Sequence, residues 1–338
     1  MPEMLSLSND PTLFICIMIA KILIVFIVVI LIVAYATYAE RKIIGRMQTR
    51  LGPTMTGPFG LLQPIADGLK LFFKEDIIPS QASKLAFVLA PMMILVPAFI
   101  TVAVIPFGGY VVIGGYAVPL QITDLNVGVL YILAMAGLGV YGIVLAGWAS
   151  NNKYSLLGGV RSAAQMVSYE LAAGLSIVAI FMLSETLSLR GIIDAQAGSV
   201  FNWYIFSQPL AFCLFVITSL AEINRTPFDL PEAETELVSG FCTEYSSMKY
   251  ALFFMAEYAN MIVISALIST LFLGGPAGPF AGPINLLLKI FSFMFLFIWI
   301  RATFPRVRYD QLMFMGWKVF LPLALLNIVI TGAVVVFL

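Results

Sequence analysis

Eight apolar stretches constrain this chain more than anything else in it. They run over about 13–39, 86–106, 126–149, 163–184, 208–222, 249–273, 286–303 and 316–338. In hydrocarbon every backbone N–H and C=O must find a partner within the protein. A helix of about 20 apolar residues does so while matching the bilayer's thickness. The expected fold is therefore all-α: a polytopic membrane protein of about eight transmembrane helices, forming a single membrane domain over 1–338. Mean hydropathy of +1.01 agrees. The fifth stretch is short, and the fourth contains Glu170. The first is too long for a signal peptide, lacks a basic leading region and precedes no small-x-small cleavage site, so it reads as a retained helix.

Net charge is zero, with 18 basic and 18 acidic residues, yet the bases are segregated. Fifteen of the 18, among them Arg41, Arg50, Arg161, Arg225, Arg301 and Arg306, fall on one side of the eight-helix scheme; Lys21, Arg190 and Lys289 are the exceptions. The positive-inside rule makes that side cytoplasmic and puts both termini outside. The outer connections 107–125, 185–207 and 274–285 are Gly/Pro-rich or weakly polar, and no chemistry is legible in them. Cys16, Cys213 and Cys242 are isolated, which gives neither a disulfide framework nor an iron–sulfur site. Histidine is absent, removing the usual membrane-haem ligand, the commonest zinc ligand and the usual proton donor near neutral pH. Proton chemistry would then fall to carboxylates, tyrosines, lysines and water.

The first cytoplasmic loop, 40–84, holds an amphipathic helix. Leu62, Ile65, Ala66, Leu69, Phe72 and Phe73 recur at helical spacing, with Gln63, Asp67, Lys70 and Lys74 opposite. Such a helix lies in the interface plane. As a plain anchor it needs no more; alternatively it walls a lipid-accessible cavity with Asp67 turned inward.

The acids are concentrated as well. Glu222, Asp229, Glu232, Glu234, Glu236 and Glu244, six of the 18, lie in the cytoplasmic loop 222–249. Pro231 suits a first helical turn, where the helix dipole favours Glu232 and Glu234. Glu170 and Glu257 are expected about seven and eight residues inside their spans, roughly 10 Å deep at 1.5 Å per residue. Carboxylates at such depth are costly and mark ion or proton pathways. The competing reading is that both pair with arginines such as Arg41 or Arg161 and only fix helix packing. Two acids at matched depth beside an acid-rich loop favour a polar channel.

The segments Ala39–Lys42, Gly57–Asp67, Arg161–Glu170, Ala221–Glu236, Phe253–Tyr258 and Arg301–Met313 together resemble the quinone-binding membrane subunits of the bacterial NADH-quinone oxidoreductases, the respiratory complex I family. The likeness runs from about Tyr38 to the C-terminus; Thr54 departs from the Asn common in the family. The resemblance implies a subunit at the junction of the peripheral and membrane arms, with part of a quinone tunnel between helices 1 and 6 and the amphipathic helix. It assigns Arg41, Arg50, Asp67, Phe228 and Arg301 to quinone binding. Glu40, Asp67, Glu170, Glu222, Asp229, Glu232, Glu234, Glu236 and Glu257 form a carboxylate path from the tunnel toward the proton-pumping subunits. The substrate is ubiquinone or menaquinone; no metal or flavin is expected on this chain. Expected partners are peripheral quinone-site subunits, small membrane subunits and lipid, in a bacterial plasma (inner) membrane, with no nucleic acid. Two other readings compete: a proton- or cation-coupled secondary transporter, for which no internal repeat is evident, and the related subunit of a membrane-bound hydrogenase.

Overall fold

A computed structural model describes residues 11–113, 116–230 and 237–337. Among the described residues seven helices are long and apolar enough to span: α1 (Pro11–Met47), α3 (Lys84–Thr101), α4 (Gly128–Ala149), α5 (Lys153–Ser184), α9 (Ser247–Phe272), α10 (Gly282–Thr303) and a continuous Tyr309–Phe337. An eighth, α8 (Pro209–Glu222), is apolar but short. The last span divides into α11 (Tyr309–Phe314), a π-helical stretch Met315–Phe320 and α12 (Leu321–Phe337). Between the spans lie α2 (Gln63–Phe73), the antiparallel hairpin β1 (Tyr110–Ile113) and β2 (Tyr116–Pro119), and the short α6 (Leu189–Ala195) and α7 (Tyr204–Ser207). The chain is thus an all-α polytopic membrane protein.

Two of the helix boundaries that depart from expectation move functional residues. α1 continues to Met47, so Glu40 and Arg41 sit in its last turns and not in the following loop. α5 begins at Lys153, ten residues before the apolar stretch, with the Asn152 side chain accepting from the Tyr154 N–H at 2.9 Å. Glu170 therefore lies about 26 Å along the helix from its start, not 10 Å. Ser155, Gly158, Gly159 and Arg161 hid this beginning, because small and polar residues lower hydropathy while helix contacts make the segment helical. A Cβ on Gly158 would come 2.7 Å from the Gly240 Cα, and one on Gly142 of α4 would come 2.4 Å from the Ile94 Cγ1 of α3. Small residues at these crossings let backbones approach, which is how helices associate without a hydrophobic force between them.

α5 packs on α4, α8 and α12, and α9 packs on α3, α10 and α1. In its most apolar window α9 is 72% buried, against 6% for α1. α9 is therefore the central helix and α1 a peripheral one. On α2 none of the residues is buried; Ile65, Leu69, Phe72 and Phe73 face outward. Its C-terminal carbonyls are held by α9: Ser247 Oγ donates to Leu71 O at 2.9 Å and to Lys74 O at 2.8 Å. Lys249 adds an ion pair to Asp76 at 2.7 Å.

Candidate functional site

The C-terminal end of α1 carries two adjacent charges with different partners, because neighbouring helical residues point in different directions. Arg41 is exposed and reaches Asp67 of α2 at 2.8 Å; Asp67 also accepts from Gln63 at 3.1 Å. Arg41, Arg50 and Gln63 line one surface cavity of about 440 Å³ with the turn Leu51–Met55. Arg50 Nε donates to Gln48 Oε1 at 2.9 Å.

Glu40 turns the other way and is buried. Arg225, in the segment after α8, gives it two hydrogen bonds from Nη1, at 3.0 and 2.8 Å. Arg301 of α10 also pairs with Glu40, and Tyr258 Oη of α9 donates to it at 2.8 Å. Arg225 Nε pairs with Glu257, and the Arg225 Cζ lies 4.4 Å from the centre of the Tyr258 ring. Three helices and one loop thus converge on a cluster of two carboxylates, two guanidiniums and a phenol. Burial works against the charge on Arg225, but Glu257, Tyr258 and Glu40 outweigh it and hold the guanidinium firmly protonated.

The segment carrying Arg225 is fastened on both sides. Gln165 of α5 donates from Nε2 to Ala221 O at 2.8 Å and to Phe228 O at 2.6 Å. Asn224 donates to Ser162 Oγ at 3.1 Å, and Val307 N–H donates to Pro227 O at 3.0 Å. Phe228 is buried with its ring 5.7 Å from that of Tyr169. Asp229 meets Arg306 at 3.2 Å; burial nonetheless raises its pKa, outweighing Arg306, Arg301 and Arg225. Buried polar atoms around this segment without a hydrogen-bond partner among the described residues include Gln165 Oε1, Asn224 Oδ1, Arg225 Nη2 and Asp229 Oδ1. Buried atoms of this kind are ordinarily satisfied by water.

Space for water adjoins them. A cavity of about 50 Å³ is lined by Glu222, Asn224, Glu257 and Asn260, and a second of about 30 Å³ by Glu222, Asn260, Met135 and Thr101. The two share Ile94, Gly139, Met166, Glu222 and Asn260. Each exceeds the ~10–15 Å³ that one water needs. Beyond them Glu170 lies against Gly137, where a Cβ would come 2.8 Å from Oε1, and its charge is felt at Glu222. Its neighbour Tyr169 donates to Leu312 O at 3.0 Å, beside the π-helical stretch, and Ser168 accepts from Trp317 Nε1 at 3.0 Å. These contacts fix the rotation of α5 that aims Glu170 at α4.

The residues picked out from sequence therefore fall into two groups. Arg41, Arg50 and Asp67 lie together at the α1–α2 surface. Glu40, Glu257, Arg301, Phe228 and Asp229 gather around Arg225, with Glu222 and then Glu170 further along. Glu232, Glu234 and Glu236 lie outside the described residues. Glu257 does pair with an arginine, as the packing-only reading expects, and that arginine is Arg225. Arg225, Arg306, Gln165 and Asn260 were not singled out as site residues. For Arg225 a signal existed, since it is the one base between Lys153–Arg161 and Lys249 apart from Arg190, embedded in the acidic run.

Comparison with known proteins identifies the family. A family model described as NADH dehydrogenase matches residues 20–332. Among individual relatives, three H subunits of NADH-quinone oxidoreductases are similar over nearly their whole length. The first of two from Geobacter sulfurreducens is 66% identical over 338 residues, covering 96% of this chain and 97% of the relative. The second of two from Geobacter metallireducens is 66% identical over 331 residues, covering 94% and 95%. That of Thermomicrobium roseum is 56% identical over 311 residues, covering 90% and 91%. These relatives do not favour a free-standing transporter. The chain belongs to the NADH dehydrogenase family.

Proposed function

We propose that this chain is the quinone-binding membrane subunit of a proton-translocating NADH:quinone oxidoreductase, and that it couples quinone reduction to proton movement. It is not an enzyme alone: flavin, NADH and iron–sulfur chemistry are supplied by other subunits, and ubiquinone or menaquinone is the substrate. Basic loops face the cytoplasm and both termini the outer side of a bacterial plasma membrane, in keeping with the asymmetry of 15 among 18 bases. Peripheral quinone-site subunits dock on that basic face, and small membrane subunits flank the helices.

One observation carries the reading: the charged cluster at the end of α1 borders a pair of water-sized cavities that share Glu222. Arg41, Arg50 and Asp67, with Phe228 and Arg301, serve the quinone end. A negative charge or proton demand there acts on Glu40, which shares Arg225 with Glu257. When Glu40 releases Arg225, the guanidinium is free to bind Glu257 more tightly, and the reverse holds. Coupled groups of this sort titrate as a unit and pass a change along. Water in the two cavities joins Glu257 to Glu222, and Glu170 receives the change through its charge interaction with Glu222. Glu232, Glu234 and Glu236 belong to the same path.

Glu170→Gln and Glu257→Gln in the assembled complex should depress proton pumping and quinone-linked turnover, while NADH oxidation by a hydrophilic artificial acceptor persists. Unaltered pumping in both variants refutes the relay. A photoreactive quinone analogue should label this subunit near Arg41 and Phe228; labelling confined to other subunits refutes quinone binding here.

A further inference from the structure

We infer that the outer half of α1 forms a site for one anionic phospholipid, with the acyl chain in a trench beside the helix and the phosphate on Lys21. Two grooves flank this half of α1. One, of about 310 Å³, runs between Val25, Val28 and Ile32 of α1, Ile262 of α9 and Leu287 of α10, with Lys21 among its lining. The other, of about 420 Å³, lies on the α3 side against Phe99. α1 buries only Val29, Val33, Ala36, Glu40 and Gly45, so it leans on the bundle at its cytoplasmic half and stands off above.

An apolar groove at membrane depth is filled by something apolar; Lys21 says what else that molecule carries. Its ammonium donates to Pro119 O at 3.1 Å and to Gln121 O at 2.8 Å, both in the outer connection at the end of β2. An ammonium has three N–H donors and a full charge. Two backbone carbonyls use two donors and leave the charge without a carboxylate counter-ion among the described residues. The carbonyls meet its donors but do not neutralise its charge, which an anion at the remaining N–H would do. The combination of an apolar slot and a single cation at one end complements an amphiphile with an anionic head. It does not suit a neutral quinone, which has no charge to offer. Lys21 also lies 20 residues from Arg41, about 30 Å along the helix, so this site is remote from the quinone end. The inference therefore stands apart from the relay.

The test uses the complex in nanodiscs, with phosphatidylglycerol or phosphatidylcholine carrying a diazirine midway along one acyl chain. Cross-linked peptides are mapped by mass spectrometry. Phosphatidylglycerol should label the α1 peptide containing Val25 and Val28 at least several-fold more than phosphatidylcholine does. Lys21→Gln should lower that excess to the phosphatidylcholine level, and Lys21→Arg should keep it. Val28→Trp, which fills the trench but leaves the charge, should lower labelling by both lipids. Equal labelling by the two lipids, or an excess that survives Lys21→Gln, overturns the anionic site. No labelling by either overturns it too, and indicates a neighbouring subunit's helix in the trench.

Discussion

Removing the charge of Arg225 is the sharpest test of the central cluster. Arg225→Met keeps most of the side chain's volume while taking away the partner of Glu257 and the two donors to Glu40. Glu40 retains Arg301 and Tyr258; Glu257 has no other ion pair among the described residues. Stripping one partner from a buried pair costs about 3–5 kcal/mol. An independent bound comes from the alternative open to any stranded glutamate, which is to take up a proton. Holding a carboxyl of ordinary pKa ~4.3 neutral at pH 7 costs about 3.7 kcal/mol, at 1.36 kcal/mol per unit. The expected loss is therefore about 4 kcal/mol, capped by protonation. SDS-induced unfolding of the purified complex, followed by the release of this subunit, should read it. Adding Glu257→Gln to Arg225→Met removes the stranded charge and should restore about half or more of the loss. Arg225→Lys should fall between, because one ammonium cannot serve two carboxylates in the fork geometry of a guanidinium. If Arg225→Met unfolds within about 0.5 kcal/mol of wild type, or if Glu257→Gln makes it worse, mutual neutralisation is not what holds the cluster.

Three further outcomes follow from other contacts. Asp229 has its folded pKa raised by burial above the unfolded value of ~3.9. Its contribution to stability is therefore complete below about pH 4 and is lost as pH rises through the folded value. Asp229→Asn should flatten that dependence, seen as a proteolysis rate of the α8–α9 connection that no longer increases with pH; an unchanged profile assigns the dependence elsewhere. Gly158→Val places a side chain where even a Cβ would lie 2.7 Å from the Gly240 backbone, and overpacking of this kind costs about 1–3 kcal/mol. Faster cleavage near Gly240 should result, and wild-type resistance would contradict the close crossing. Gln165→Leu removes donors to Ala221 O and Phe228 O and leaves both carbonyls buried, costing about 1–3 kcal/mol each if no water replaces it. Hydrogen exchange should rise in residues 221–230; exchange that stays slow would mean that the segment is held by its other contacts alone.

The chain by itself determined its class, its spans and the residue types available for chemistry. Eight apolar stretches appear as seven long helices and the short Pro209–Glu222, since hydrocarbon leaves the backbone few alternatives. The amphipathic α2 was legible for a similar reason, as its apolar residues recur at the helical period. Helix ends were not, because Glu40 continues α1 and Lys153–Ser162 begins α5 through packing, which hydropathy does not register. Which acid meets which base was invisible as well. Glu40 joins Arg225, 185 positions away, and Arg301, 261 positions away, because α1, α10 and the segment after α8 meet at one point. Tyr258 next to Glu257 bonds Glu40 instead, since adjacent helical residues diverge by about 100°. Local periodicity sets what each segment becomes, whereas charge partners and cavities arise only when segments distant in the chain are packed together.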